Sequence, residues 1–153
     1  MKLQAFRIVK ARFAQDAFSG EGARLYGGRW NTPGKPLVYT ASSISLAMLQ
    51  MLVHLQSRDL LVAYVLITVA FDSSLVMEVD VDGLPGDWHS SPVAPEVQQI
   101  GDQWIASQPS AVLRVPSATA PDESNFLLNP RHVSFRQIKI GTPRPVRFDP
   151  RLK

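Results

Sequence analysis

The sequence predicts an α+β fold, a single domain over residues 1–153 built on one mixed sheet. Three observations carry this. Short runs rich in β-branched and aromatic residues recur along most of the chain. Only residues 44–55 and 96–106 read as helices of any length. No repeat, low-complexity tract or linker divides the 153 residues, a length that suits one hydrophobic core.

The elements follow in order. Residues 3–9 alternate loosely and suit a strand. Residues 14–35 hold Gly20, Gly22, Gly27, Gly28 and Gly34 beside Asn31 and Pro33, which reads as an ordered loop with unusual dihedrals. A loop of that length in a compact domain is usually functional. PLVYT, residues 36–40, is a short strand, and Ser42 or Ser43 then offers a hydroxyl to cap a helix over 44–55. That helix is apolar on nearly every side, which predicts burial. Gln50 and His54 are its only strongly polar members and lie one turn apart.

Residues 60–71 read as a central strand, 75–81 as a shorter one, and 84–88 as a turn. Pro95 suits a first helical position, and 96–106 continue as an amphipathic helix with Val97, Ile100, Trp104 and Ile105 inward. Residues 111–115 form a strand ending at Pro116-Ser117. Residues 126–128 and 133–140 are two further extended pieces, and 146–148 suit a last edge strand.

Composition removes several function classes. There is no cysteine, so disulfide scaffolds, thiolate metal sites and a cysteine nucleophile are excluded. No apolar run reaches the ~20 residues needed to span a bilayer. The N-terminus lacks the apolar stretch of a signal peptide, so a cytoplasmic location is expected. His54, His89 and His132 have no ligand-like spacing, and no metal site is expected. The net charge of +3 is too small to argue for nucleic-acid binding by itself. Its distribution is uneven. Arg7, Lys10, Arg12, Arg24 and Arg29 crowd the first thirty residues, and Arg131, Arg136, Lys139, Arg144, Arg147, Arg151 and Lys153 crowd the last quarter. If the termini meet, they form a cationic surface for a phosphate-bearing small molecule or for RNA.

Four places carry candidate chemistry. In Gly27-Gly28-Arg29-Trp30-Asn31 the glycines let backbone approach a ligand, Arg29 can fork onto a phosphate, and Trp30 offers a flat face; the plain alternative is a glycine turn with a solvated arginine. Gln50, alone among apolar helix neighbours, must find hydrogen bonds and either lines a cavity or caps nearby backbone. His54 is expected as a hydrogen-bonded core histidine. Ser117 follows a proline at a strand end, which fixes the direction of its hydroxyl, but no histidine has triad-like spacing to it.

Taken together, Arg7 in FRIV, the block GEGARLYGGRWNTPGKPLVYTASSISLAMLQMLVHL over residues 20–55, LRVPSA and FLLNPRH resemble the RES domain family nearly from end to end. The resemblance implies a fold like the ADP-ribosyltransferase domains and a bacterial toxin that depletes cellular NAD+. Such a toxin cleaves the nicotinamide–ribose bond with water or phosphate as acceptor. NAD+ is then a substrate, and no cofactor is implied. The implied partners are a cognate Xre-type helix-turn-helix antitoxin, contacting the mouth of the active site, and a second RES chain in a homodimer. Neither direct nucleic-acid contact nor a membrane is implied. Position by position, Arg29 matches the family arginine, Ser117 the family serine, Tyr39 an active-site tyrosine and Arg7 a second pocket arginine. The family glutamate falls on Gln50.

That departure bears on the chemistry. Cleaving this bond builds oxocarbenium character on the ribose, and the leaving group is already cationic, so negative charge near the ribose helps more than an acid. A carboxylate ~4 Å away at an effective dielectric of ~20 is worth about 4 kcal/mol, roughly a thousandfold in rate. Glutamine keeps the shape and loses the charge. The sequence therefore predicts a chain that binds NAD+ and turns it over slowly. Two alternatives stand beside it: an RNA-targeting toxin using the basic termini with His54 or His132, and a catalytically inactive module that only holds its antitoxin.

Overall fold

The longest pairing in the molecule sets its frame. Strand β1 (Lys2–Lys10) runs antiparallel to β3 (Tyr64–Asp72) along its whole length, from Lys2 opposite Asp72 to Lys10 opposite Tyr64. The computed structural model describes residues 1–153. Around this pair stand β2 (Val38–Ala41), β4 (Val76–Glu78), β5 (Val112–Pro116), β6 (Ser124–Leu128), β7 (Lys139–Ile140) and β8 (Arg144–Val146). The sheet runs β4-β5-β6-β2-β1-β3-β7, with β8 also on β3. Only β4 and β5 are parallel, so a crossover must join them; it contains helix α3 (Pro95–Ser107), which starts on a proline as the sequence predicts. The expected α+β class with one mixed sheet is the one found.

The sheet is weakest between its two halves. β2 pairs with β6 over its four residues, from Val38 opposite Leu128 to Ala41 opposite Asn125. Towards β1 it makes a single pair, Phe6 opposite Ala41. The strands part there, and the gap opens a cleft. On one side of the sheet Trp30, Leu37, Val97, Trp104 and Leu127 form a core under α3; Ile8, Ala41, Leu46, Tyr64 and Phe148 form another under helix α2 (Ile44–Leu52).

Several elements differ from the sequence reading, each for a local reason. The glycine-rich stretch 14–35 is not all loop: Ala11–Asp16 is a 3₁₀ turn, and Glu21–Tyr26 is a short helix, α1, with the ion pair of Glu21 and Arg24 along its surface. The strand expected from residue 60 begins at Tyr64. Before it, Ser57–Leu61 is a 3₁₀ turn, where the backbone N–H of Gln56 donates to the Asp59 carboxylate. Residues 133–137 are not extended either, because His132 Nδ1 accepts the Ser134 N–H (3.0 Å) and starts a 3₁₀ turn. The last edge strand lies at Arg144–Val146 rather than 146–148. Helix α2 is not buried all round. It ends at Leu52, short of the expected residue 55, and buries Leu46 and Ala47 but leaves Leu49 45% exposed, and Val53 just past its end 61%, since only one side meets the sheet. No helix is long and apolar enough to cross a membrane.

One contact fixes α3 against the glycine-rich segment. A Cβ built on Gly101 meets the Trp30 carbonyl oxygen at 1.7 Å, so helix and backbone touch directly. In an exposed helix, Gly→Ala gains up to ~1 kcal/mol. Here the clash is with main chain and cannot be relieved by a rotamer. Gly101→Ala is expected to destabilise the fold by about 3 kcal/mol or more, read as a lower urea midpoint. A midpoint at or above that of the parent would contradict this packing.

Candidate active site

Where β1 and β2 part, a side chain spans the gap. The Arg7 guanidinium, on β1, donates from Nη1 to the Tyr39 carbonyl oxygen at 2.9 Å and from Nε to the Ala17 carbonyl oxygen at 2.7 Å. These bonds tie β2 and the segment leading into α1 to β1, and leave three N–H groups of Arg7 free. No carboxylate pairs with it. Burial draws its pKa down to about 10, so it remains a cation at neutral pH.

The second cation is delivered by the loop after α1. Gly28 and Asn31 close a tight turn, with the Gly28 N–H bonded to the Asn31 carbonyl oxygen (3.0 Å). Tyr39 lies under the turn. Its phenol donates to Asn31 Oδ1 at 2.6 Å and accepts the Trp30 N–H at 3.0 Å. A Cβ on Gly28 would stand 2.6 Å from that phenol oxygen, which is why glycine is required there. From α3, Gln98 donates to the Gly28 and Asn31 carbonyls, and Asp102 accepts both the N–H and the hydroxyl of Thr32. Arg29 projects from this clamped turn, and its Nη1 donates to the carbonyls of Trp88 (3.1 Å) and Ser90 (2.9 Å). Burial lowers its pKa as well, and it too lacks a carboxylate partner.

The third component comes from α2, whose start is capped by Ser43 Oγ accepting the Leu46 N–H. Gln50, two turns on, donates from Nε2 to Ser117 Oγ (2.9 Å) and to Asn125 Oδ1 (2.8 Å), and its Oε1 accepts from Asn125 Nδ2 (3.0 Å).

Arg7, Arg29, Tyr39 and Gln50 therefore line one cleft of about 710 Å³, a volume in the range of small-molecule sites. Asp and Glu are absent from its wall, whereas His54 and His89 join the two arginines. Three expectations are corrected. Ser117 is fully buried and does not line the cleft; it reaches the site only through Gln50. Trp30 borders the cleft, yet as a residue it is only 2% exposed and packs in the core near Trp88, so it presents almost no face to a ligand. His54 is an exposed residue on the cleft wall, not a core histidine. The C-terminal cations do not join Arg7 and Arg29 along this wall. Sequence reasoning missed Asn125, 8% exposed inside the strand SNFLL. The available signal was weak, an amide at the start of an apolar strand, preceded by Glu123 and Ser124.

The RES domain family model matches residues 4–149. A protein named Toxin Res from Yersinia enterocolitica is 41% identical over 152 residues, 99% of this chain and 100% of that one. Another Toxin Res, from Photorhabdus laumondii, is 38% identical, covering 94% of this chain and 91% of its own. A Prs ADP-ribosylating toxin from Sphingobium sp. is 37% identical, over 92% and 89%. Among solved structures, the Mycobacterium tuberculosis MbcT–MbcA toxin–antitoxin complex contains a chain that superposes with a TM-score of 0.77 at 24% identity, covering 99% of this chain and 87% of that one.

The Tyr39 phenol has a further consequence. Burial, the largest cause, raises its pKa above the usual tyrosine value. A folded-state value above the unfolded one means that the group's contribution is fully present below about pH 10 and is lost as pH rises towards the folded value. Tyr39→Phe should cost about 1–3 kcal/mol at pH 7 by orphaning Asn31 and the Trp30 N–H. Denaturant midpoints of the two proteins should converge above about pH 10; a gap that stays constant to pH 11 would contradict the assignment.

Proposed function

The chain belongs to the RES domain family, and on that premise we propose that it is the toxin of a toxin–antitoxin pair, an enzyme whose substrate is NAD+. One observation carries this reading: two guanidinium groups, Arg7 desolvated and Arg29 partly so, line the same cleft with no carboxylate to neutralise them. A cation removed from water and left unpaired is costly, and an anion that enters the cleft relieves it. A diphosphate meets the requirement, since guanidinium forks onto phosphate oxygens. With the diphosphate held there, the nicotinamide ribose of NAD+ is directed towards Gln50. The relatives named Toxin Res support the toxin role, and the one named an ADP-ribosylating toxin supports the substrate class.

In the proposed reaction the bond between ribose C1′ and the nicotinamide nitrogen breaks. Its electron pair leaves with nicotinamide, which becomes neutral. Water or phosphate oxygen then bonds to C1′; water gives up its proton and yields ADP-ribose. The cationic leaving group needs no acid, so the protein's task is to grip, orient and stabilise the developing oxocarbenium ion. Arg7 and Arg29 supply the grip. Tyr39 acts on the turn that carries Arg29, through Asn31 and the Trp30 N–H. Gln50 supplies an oxygen where a carboxylate would supply a charge, so turnover is slow.

An Xre-type helix-turn-helix antitoxin and a RES–RES dimer complete the proposal as its partners, in the cytoplasm. A second reading, a module that holds its antitoxin without catalysis, is favoured by the Gln50 amide. An RNA substrate has less support, because the C-terminal cations stand away from the cleft wall.

Gln50→Glu is expected to raise the rate of NAD+ loss substantially, up to roughly a thousandfold. In either background Arg29→Ala should weaken NAD+ binding by about tenfold or more. A Gln50→Glu protein that binds NAD+ yet consumes it no faster than the parent would leave the binding module as the correct reading. Affinity indifferent to Arg29→Ala would remove the diphosphate site.

A further inference from the structure

The hydrogen bonds around Gln50 have a direction, and backbone sets it. Asn125 donates from Nδ2 to the Thr40 carbonyl oxygen at 3.0 Å. A carbonyl only accepts, so the NH₂ end of Asn125 must face β2. Its second Nδ2 hydrogen goes to Gln50 Oε1 (3.0 Å), and its Oδ1 accepts from Gln50 Nε2 (2.8 Å). The two side chains form a closed amide pair that cannot be turned over without breaking the bond to Thr40. The remaining hydrogen of Gln50 Nε2 is taken by Ser117 Oγ (2.9 Å), whose position is fixed by the N–H groups of Thr119 and Ala120, each at 3.2 Å.

Both hydrogens of the Gln50 amide are thus used inside the protein. What remains for the cleft is the second lone pair of Oε1. We infer that Asn125 is a positioning residue, which with Ser117 makes Gln50 present an acceptor, and not a donor, to a hydroxyl of the bound ligand. This rests on the proposed NAD+ site and adds to it how residue 50 is held. A freely rotating glutamine would offer NH₂ or oxygen indifferently. Locked by Asn125, it discriminates a ligand with a ribose hydroxyl beyond the diphosphate from one that stops at the diphosphate.

The test compares ADP-ribose with ADP, by calorimetric titration of the parent, Asn125→Ala and Ser117→Ala. ADP-ribose should bind the parent more tightly than ADP does. Each substitution should weaken ADP-ribose by about tenfold, the worth of one good hydrogen bond, and change ADP less than about twofold. Equal losses for both ligands, or none, would overturn the positioning role and leave the diphosphate site standing. A parent that binds neither ligand would overturn the NAD+ reading together with this inference. A second measurement needs no ligand and no variant. In the parent chain the Gln50 side-chain NH₂ protons should exchange with solvent far more slowly than those of an exposed glutamine such as Gln56. Equally fast exchange would overturn the locked amide, even if Asn125→Ala fails to fold.

Discussion

Two guanidinium groups without a counter-charge, Arg7 desolvated and Arg29 partly so, are the feature on which the rest of this molecule turns. Arginine is rarely left in that state, because desolvating it costs several kcal/mol unless an anion returns the favour. Here both Arg7 and Arg29 are kept by neutral partners alone, the backbone carbonyls of Ala17, Tyr39, Trp88 and Ser90. Those carbonyls orient each guanidinium while leaving its charge uncancelled. No acid of the chain lines the cleft, and several are engaged elsewhere, Glu21 with Arg24, Asp149 with Arg151 and Asp102 with Thr32. The cleft is therefore electrostatically unfinished, and on the proposed reading a diphosphate completes it.

The scaffold serves that arrangement. β1 and β2 share one residue pair before they separate, so the sheet itself opens the cleft. Arg7 holds the two sides together across the opening. Arg29 sits on a tight turn, gripped from below by the Tyr39 phenol and from the side by Gln98, Gly101 and Asp102 of α3. Distant stretches of chain thus meet at one place because each supplies a hydrogen bond that the others lack. The amide pair of Gln50 and Asn125 repeats the pattern one strand further on, with Thr40 as the anchor.

Much of this was legible in the sequence. The strands at residues 3–9, 36–40 and 111–115 carry the β-branched and aromatic patterning that marks them, and Pro95 marks the start of α3. The cluster GGRWN announced a constrained turn with a cation on it. Other features were hidden for physical reasons. The 3₁₀ turns at Ser57–Leu61 and Val133–Gln137 depend on Asp59 and His132 bonding to backbone a few residues away, which competes locally with the extended form. The apolar surface of α2 said how much could be buried, not how much the sheet would cover. Ser117 was expected at the site through the family resemblance, while the turn that buries it is not visible in sequence. Asn125 acquires meaning only when β6 lies beside β2 and opposite Gln50, a tertiary fact.

The most direct test of the unpaired cations is a crystal structure of the chain with ADP-ribose bound. The account predicts the diphosphate between Arg7 and Arg29, with phosphate oxygens about 2.7–3.2 Å from nitrogens of both guanidinium groups. A diphosphate bound away from this cleft, or touching neither arginine, would contradict it.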